Sequence, residues 1–142
     1  MYNIGYDIGS SSIKAALVEV DTGKQIAVTH EPEGEMGMIS PKASWAEQDP
    51  EVWWKLICLA TKKLLKQTGI DSAKISGIGI AYQMHGLVVV DRNGAPLRNA
   101  IIWCDSRAVD IGNEAFKALG TKKCMEHLLN SPANFTASKL KW

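Results

Sequence analysis

The strongest constraint on the fold of this chain is its opening run of three strand-forming segments joined by short turns. Tyr2–Ile8, Ile13–Val20 and Gln25–Thr29 are rich in alternating apolar and β-branched residues. The loop of residues 9–12 carries one glycine and three serines, and the turn of residues 21–24 is of the Asp/Gly kind that joins hairpin strands. The sequence therefore predicts three consecutive antiparallel strands.

A long helix follows a loop of residues 31–44 that is rich in Glu, Gly, Pro and Met. Asp49 is a suitable N-cap, Pro50 suits the first helical position, and Gly69 ends the pattern. Apolar residues recur between these limits at helical spacing: Val52, Trp53, Leu56, Ile57, Leu59, Ala60, Leu64 and Leu65. The Trp53-Trp54 pair predicts one packed and one half-exposed indole.

The rest of the chain alternates short strands, turns and helices. We predict strands at Ile75–Ala81 and Leu87–Val90, a hairpin turn at residues 91–94, a helix capped by Asp105 or Ser106 that runs to about Leu119, and a short helix at Thr121–Leu129. The order β-β-β, helix, β-β, helices is neither pure βαβ nor all-β. It favours the α/β class, with a mixed sheet and helices packed on it.

Composition and charge exclude several functional classes. The 142 residues suit one domain, and a net charge of +1 with scattered Lys and Arg gives no basis for nucleic-acid or membrane-surface binding. The three cysteines form no CxxC pair, so neither a disulfide framework nor a zinc site is indicated. The N-terminus does not resemble a signal peptide, and no apolar run reaches the ~20 residues of a membrane span. A cytoplasmic protein without membrane partners is predicted.

The loop after the first strand carries groups that can bind phosphate. Gly9 can expose backbone N–H groups, and Ser10 and Ser11 add hydroxyl donors. Asp7 can hold Mg²⁺ through water, and Lys14 can add a positive charge. The alternative is a plain hairpin turn in which Asp7 bonds its own backbone. Neither a Walker A loop nor a dinucleotide fingerprint is present.

The stretch "YQMHG" separates two apolar strand patterns. By residue type alone, His85 can be a structural histidine or a ligand-binding group, Met84 can be core packing, and Gln83 has no assigned role. Gly86 allows the backbone to pass close to a ligand. Asp105 likewise can cap a helix or contact a substrate.

The opening "IGYDIGSSSIKAALVEVDTG" resembles the superfamily of sugar kinases, actin and heat-shock chaperones. In that superfamily an Asp-x-Gly-[Ser/Thr]-[Ser/Thr] hairpin turn wraps the phosphates of ATP. Three further stretches, "WAEQDPEVWW", "GIGIAYQMHGLVVVDRNGAPLRNAIIWCDSRA" and "NFTASKLKW", resemble the FGGY carbohydrate kinases. Within that family, Gln-Met-His-Gly is characteristic of the xylulose kinases.

The resemblance implies an actin-like (ribonuclease H-like) ATPase fold and ATP-dependent phosphorylation of a sugar with Mg²⁺, most closely of D-xylulose. It implies that Asp7, Gly9, Ser10, Ser11 and Lys14 face the phosphates and the metal. It also implies a sugar site in which the Met84 backbone and the His85 side chain meet hydroxyls. Asp105 would contact the sugar, Trp103 would form an apolar wall, and Gln83 belongs to the same stretch.

Members of this family are several hundred residues long. The resemblance therefore implies that residues 1–142 are the N-terminal actin-like domain, with residues 1–99 forming the hairpins, helix and strands and residues 100–142 the sugar-site segment and helices. The C-terminal FGGY domain and the catalytic aspartate that acts as the base have no match here. We accordingly expect the chain alone to be inactive, and to self-associate through exposed apolar surface, for example as a homodimer.

Three other functions stay open at this point. One is an FGGY kinase for ribulose, gluconate or glycerol, although the Gln-Met-His-Gly stretch favours xylulose, since glycerol-type enzymes carry an Arg-Glu pair in that region. Another is a non-catalytic actin-like module or chaperone fragment, against which the sugar-site motifs argue. The third is an orphan interaction domain.

Overall fold

The computed structural model describes all 142 residues, which form two compact units. The first unit comprises residues 1–37 and 51–83, and the second comprises residues 38–50 and 84–142. These units interleave along the chain, and they differ from the division at residue 99 predicted from the sequence.

A four-stranded sheet forms the centre of the first unit. Its strands are β1 (Tyr2–Ile8), β2 (Ile13–Glu19), β3 (Gln25–Glu31) and β5 (Ile75–Tyr82), in the order β3-β2-β1-β5. The three opening strands pair antiparallel, as the short turns predict. β5 pairs parallel with β1. The sheet is therefore mixed, as predicted.

Helix α1 (Pro50–Thr68) covers one face of this sheet. Leu64 and Ala60 of the helix cluster with Ile4, Tyr6 and Leu17 of the strands, and all five are buried. The Tyr6 hydroxyl lies 2.6 Å from Thr61 Oγ1, which also donates to the Ile57 carbonyl. The alternation along the strands and the helical period of α1 thus meet in one apolar layer, as the sequence predicts. Trp53 is half-buried and Trp54 is 64% exposed, which confirms the prediction for the tryptophan pair.

The second unit is built mainly of helices and short strands. Its elements are β4 (Glu47–Gln48), β6 (Ala100–Ile101), α2 (Val109–Leu119), α3 (Thr121–His127) and α4 (Thr136–Lys141), with a 3₁₀ turn at Pro132–Asn134. β4 and β6 pair antiparallel, Glu47 with Ile101 and Gln48 with Ala100. The 3₁₀ turn packs on α2 so closely that a Cβ on Gly112 would lie 2.3 Å from Ala133 Cα. Only a residue without a Cβ fits at position 112 while this packing is kept.

One predicted element of this unit is wrong. Leu87–Val90 is no strand: Leu87 forms an isolated bridge with Ile101, and Val90 forms one with Pro96. The chain reverses direction immediately after Val90, because the Asn93 and Ala95 amides donate hydrogen bonds to the Asp91 carboxylate and close a turn there. Only isolated bridges form on either side of that turn.

Helix α2 begins at Val109 rather than at Asp105 or Ser106, and its N-cap, Ala108, makes no side-chain cap bond. The helical segment α4 was not predicted. None of the helices is sufficiently long and apolar to span a membrane.

At the open edge of the first unit's sheet, Ile78, Ile80 and Tyr82 of β5 are mostly exposed. That exposure agrees with the predicted self-association, which stays a prediction.

Candidate sugar and phosphate site

The turn between β1 and β2 is closed by its own backbone. The Gly9 N–H donates to the Ser12 carbonyl at 3.1 Å, and the Ser11 carbonyl accepts from the Met36 N–H at 2.7 Å. A Cβ on Gly9 would lie 3.0 Å from the Ser12 oxygen, so a side chain here would crowd the turn. A phosphate at this turn would therefore have to use groups other than the Gly9 N–H.

Asp7 and Lys14 face each other across β1 and β2 in strand register. Lys14 Nζ lies 3.5 Å from Asp7 Oδ2, and both side chains are more than half exposed. An exposed pair of this kind contributes about 0–1 kcal/mol, so a ligand can replace it at little cost. The chain holds no cluster of three metal-binding side chains. A lone exposed carboxylate fits a Mg²⁺ ion held mainly by water and phosphate oxygens.

Gln83 lies at the same edge of the sheet as this turn. Its N–H donates to the Ile8 carbonyl at 3.0 Å. Because β1 and β5 are parallel, their carboxyl ends meet at one edge, which carries Asp7, Gly9 and Gln83. Ligands of open α/β sheets bind outside the carboxyl ends of the strands. Asp7 and the turn at Gly9, which were predicted to face the phosphates, thus lie at one edge of the sheet, and Gln83, which was predicted for the sugar side, lies there too.

In the second unit, His85 adopts a left-handed backbone conformation with φ of 60°. That conformation costs a residue with a Cβ about 1–2 kcal/mol and persists only where its surroundings hold it. Leu87, two residues later, exchanges backbone hydrogen bonds of 2.8 and 3.0 Å with Ile101. The His85 turn is therefore followed directly by a residue whose backbone is paired with Ile101.

Residues 134–139, here called the clamp segment, contact the His85 turn at three points. The imidazole of His85 stacks on the Phe135 ring with centroids 4.3 Å apart and planes 14° apart. Thr136 Oγ1 donates to the Gly86 carbonyl at 3.1 Å. Lys139 Nζ donates to the His85 carbonyl at 2.8 Å. Ring and backbone of the turn are thus held by one short segment.

The clamp segment also holds Trp103, since Asn134 Nδ2 donates to the Trp103 carbonyl. The side chains of Trp103 and Met84 are 48% and 67% exposed. The interpretation of Met84 as core packing is therefore wrong. The clamp segment thus contacts both the His85 turn and the Trp103 backbone, and the side chains of Met84 and Trp103 face solvent.

Asp105, in contrast, is completely buried. Its Oδ2 accepts from the Ala46 N–H at 2.6 Å and from Arg107 Nη2 at 2.7 Å. Its Oδ1 accepts from the Arg107 backbone N–H at 2.9 Å. The helix-cap role predicted for this residue is wrong, since α2 starts later. With both oxygens engaged inside the unit, a direct sugar contact stays a prediction.

Arg107 connects Asp105 to a second carboxylate and to two indoles. Its side chain has no exposed surface, and its Nη1 lies 2.8 Å from Glu47 Oε1. The guanidinium carbon is 3.8 Å from the ring centroid of Trp45 and 5.0 Å from that of Trp142. Trp45 and Trp142 meet edge to face at 5.2 Å. We call this set of five residues the Arg107 cluster.

Burial and hydrogen bonding act in opposite directions on the charges of this unit. Burial favours the neutral form of Asp105, but hydrogen bonds from Arg107 and the Ala46 amide outweigh it and hold the pKa of Asp105 below its usual value. The same carboxylate contacts raise the pKa of Arg107 against the effect of its burial. For Lys139 burial dominates and lowers the pKa, with the Asp105 charge opposing in part.

Comparison with known proteins gives the chain its family. The model of the FGGY family of carbohydrate kinases, N-terminal domain, matches residues 2–142. The chain belongs to the FGGY family. It is 35% identical to the xylulose kinase of Bacillus subtilis over 99% of this chain and 28% of that protein. It is 36% identical to the xylulose kinase of Klebsiella pneumoniae over 98% of this chain and 27% of that protein.

Solved structures agree with this assignment. The "xyloylose kinase" of Brucella ovis superimposes on the whole chain with a TM-score of 0.87 at 30% identity, using 29% of its own length. The xylulose kinase of Rhodospirillum rubrum gives a TM-score of 0.84 at 28% identity over the whole chain and 28% of its own length. The predicted fold class, the actin-like α/β fold of FGGY kinases, is confirmed. The chain spans less than a third of the curated relatives it matches.

Sequence reasoning missed the supporting residues of this FGGY chain: Glu47, Arg107, Asn134, Phe135, Thr136 and Lys139. Each of them lies inside a stretch that carries the family resemblance. The hydrogen bonds of the clamp segment join residues that are 31 to 54 positions apart in the sequence, with Trp103, Gly86 and His85 as the partners. The family-like stretches indicated that these residues matter, but the sequence did not show which residues they contact or what those contacts do.

Proposed function

We propose that this chain is the sugar-binding and phosphate-facing part of an ATP-dependent carbohydrate kinase that converts D-xylulose to D-xylulose 5-phosphate. One observation carries the proposal: the clamp segment holds a strained turn at His85 and also hydrogen-bonds the Trp103 backbone, while the side chains of Met84 and Trp103 are exposed. The names of the Bacillus subtilis and Klebsiella pneumoniae relatives, both xylulose kinases, support the choice of sugar.

The residues of the turn suit an open-chain ketose. Sugar hydroxyls need donors and acceptors, and a neutral imidazole supplies one of each, so His85 would bind two hydroxyls or one hydroxyl and a water. The Met84 backbone would meet a further hydroxyl, and Trp103 would cover the C–H face of the sugar. Gln83, which precedes Met84 in the chain, is also proposed to bind the sugar. Asp105 is assigned to the sugar site as well, although its present contacts favour a supporting role.

The phosphate side would be formed by the β1–β2 turn. Ser10 and Ser11 would donate to phosphate oxygens at the turn that Gly9 makes possible, with Lys14 adding positive charge and Asp7 facing Mg²⁺. The metal, when bound, neutralises charge on the transferred phosphoryl group. The residues of this chain position the substrates. The base that takes the hydroxyl proton is matched by none of them, so we expect sugar binding without ADP release from the 142-residue chain.

A second ketose deserves inclusion in the test because of one relative. The L-xylulose/3-keto-L-gulonate kinase of Escherichia coli is 36% identical over 78% of this chain. Its named substrates share the open-chain keto group with D-xylulose. The names of these relatives therefore favour a ketose, and the configuration is left to the experiment.

Titration calorimetry of the 142-residue chain with D-xylulose tests the proposal. Replacing His85 by Ala removes about one net hydrogen bond, worth about 1 kcal/mol, and should weaken binding about fivefold. His127→Ala, an exposed histidine of α3, is the matched control and should bind as wild type does. L-xylulose, ribulose, gluconate and glycerol complete the panel. Equal D-xylulose binding by wild type and His85→Ala, or no binding by either, would refute the proposal.

A further inference from the structure

Lys139 is a buried cation whose hydrogen-bond partners are backbone carbonyls. Its side chain is 1% exposed, and its Nζ donates to the carbonyl oxygens of His85 at 2.8 Å and Asn134 at 3.3 Å. Lysine is almost never fully buried unless it is paired, because removing an ammonium from water costs several kcal/mol. An apolar side chain of similar length would fill this space at lower cost. The burial of the ammonium is therefore best explained by the backbone carbonyls to which it donates.

What it holds is the strained turn. His85 lies at φ 60°, and an orphaned carbonyl there would let the backbone relax toward ordinary conformations. The Lys139 contact ties that carbonyl down, and the Phe135 ring stacks on the imidazole of the same residue. Phe135 and Lys139 are one helical turn apart, and the Lys139 N–H donates to the Phe135 carbonyl at 3.2 Å. The backbone and the ring of His85 are therefore both contacted by residues on one face of the clamp segment.

We propose that Lys139 is a positioning residue: its ammonium holds the His85 carbonyl so that the imidazole stays stacked on Phe135 in the orientation that meets the sugar. The sugar in this statement rests on the proposed function, whereas the positioning of the ring does not. Two readouts separate the two parts. One is the state of the His85 ring without ligand, and the other is sugar binding.

The first experiment is NMR of the imidazole in the 142-residue chain. The chain has three histidines, so His85→Ala assigns the His85 ring signals by their disappearance. Protons above the Phe135 ring are shielded, and the His85 signals should be displaced upfield in the wild type. Lys139→Met keeps the apolar stem and removes the donor, and it should abolish most of that displacement. Lys141→Met, an exposed lysine of the same helix, should leave it unchanged.

Lys139→Gln is the second variant for the case in which Lys139→Met does not fold, as judged by circular dichroism. It keeps a polar head group but shortens the side chain, so that the hydrogen bond to the His85 carbonyl is lost or weakened and the upfield displacement should be reduced. An unchanged His85 signal in folded Lys139→Met overturns the proposal. If that variant is unfolded, an unchanged signal in Lys139→Gln overturns it.

The second experiment measures D-xylulose binding by the same variants. Lys139→Met should bind about 3- to 10-fold more weakly than Lys141→Met, the value of about one hydrogen bond lost through misplacement of His85. If the ring signal is lost while wild type binds no sugar, the positioning stands and the proposed function fails. If wild type binds sugar and folded Lys139→Met binds equally well, the proposed function stands and the positioning role fails.

Discussion

Replacing Arg107 by Met should destabilise the second unit by about 3–5 kcal/mol. The guanidinium lies between two buried carboxylates, 2.7 Å from Asp105 and 2.8 Å from Glu47, and its side chain has no exposed surface. Removing one partner of a buried ion pair leaves an uncompensated charge, and such changes cost about that much. The loss of the stacking contact with Trp45, 3.8 Å from the guanidinium, adds to it. Methionine fills most of the volume, so a cavity contributes little.

Urea unfolding followed by tryptophan fluorescence measures this cost, since Trp45 and Trp142 belong to the cluster. Arg98→Met is the matched control. Arg98 lies 2.6 Å from the same Glu47 carboxylate but is 37% exposed, so its loss should cost about 1 kcal/mol or less. A similar loss of stability in both variants would refute the explanation based on buried charge.

The pH dependence separates charge from packing in the same variants. Because the pKa of Asp105 is lowered in the folded protein, its stabilising contribution is present above the unfolded value of 3.8 and is lost as the pH falls through the folded value. Without the Arg107 side chain, the Ala46 amide and the backbone N–H of residue 107 still donate to Asp105, but burial is opposed less strongly and the pKa of Asp105 should be higher than in the wild type. The gap in stability between wild type and Arg107→Met should therefore be larger at pH 7 than at pH 4. Asp105→Asn should narrow that gap at pH 7.

The remaining predictions concern packing. Gly112→Ala places a Cβ 2.3 Å from Ala133 Cα and should cost about 1–3 kcal/mol, whereas Gly79→Ala meets nothing within 4 Å and should be close to neutral; thermal melts compare them. Gly112→Ala should also reduce the upfield displacement of the His85 ring, because it displaces the turn that leads into the clamp segment. Leu64→Ala in the core of the first unit should cost about 2–5 kcal/mol by urea unfolding, and Leu59→Ala, which is 49% exposed, much less.

The first unit was largely predictable because its signals are local. The alternation in Tyr2–Ile8 and its two partner strands, the short turns between them and the helical period after Pro50 are all written in contiguous residues. The parallel pairing of β5 with β1 is not local. It joins segments separated by the whole of α1, and no local pattern in the sequence indicates which strand β5 pairs with.

The second unit was predicted less well because long-range contacts decide it. The apolar run at residues 87–90 reads as a strand, yet its turn and its bridge to Ile101 allow only isolated pairs. Asp105 has the chemistry of a helix cap, but Arg107 and the Ala46 amide take its oxygens. The burial of Lys139 could not be anticipated, since nothing near it in the sequence indicates a partner 54 positions earlier.

The most direct test of the account is a titration of the isotopically labelled 142-residue chain with D-xylulose, followed by amide and indole NMR shifts. We expect changes concentrated at Met84, His85 and Gly86, at the Trp103 indole and in the clamp segment. The His85→Ala variant should lose most of them at equal sugar concentration. Saturating D-xylulose that moves no signal, or that moves chiefly the signals of α1, would contradict the assignment of this turn as the sugar site.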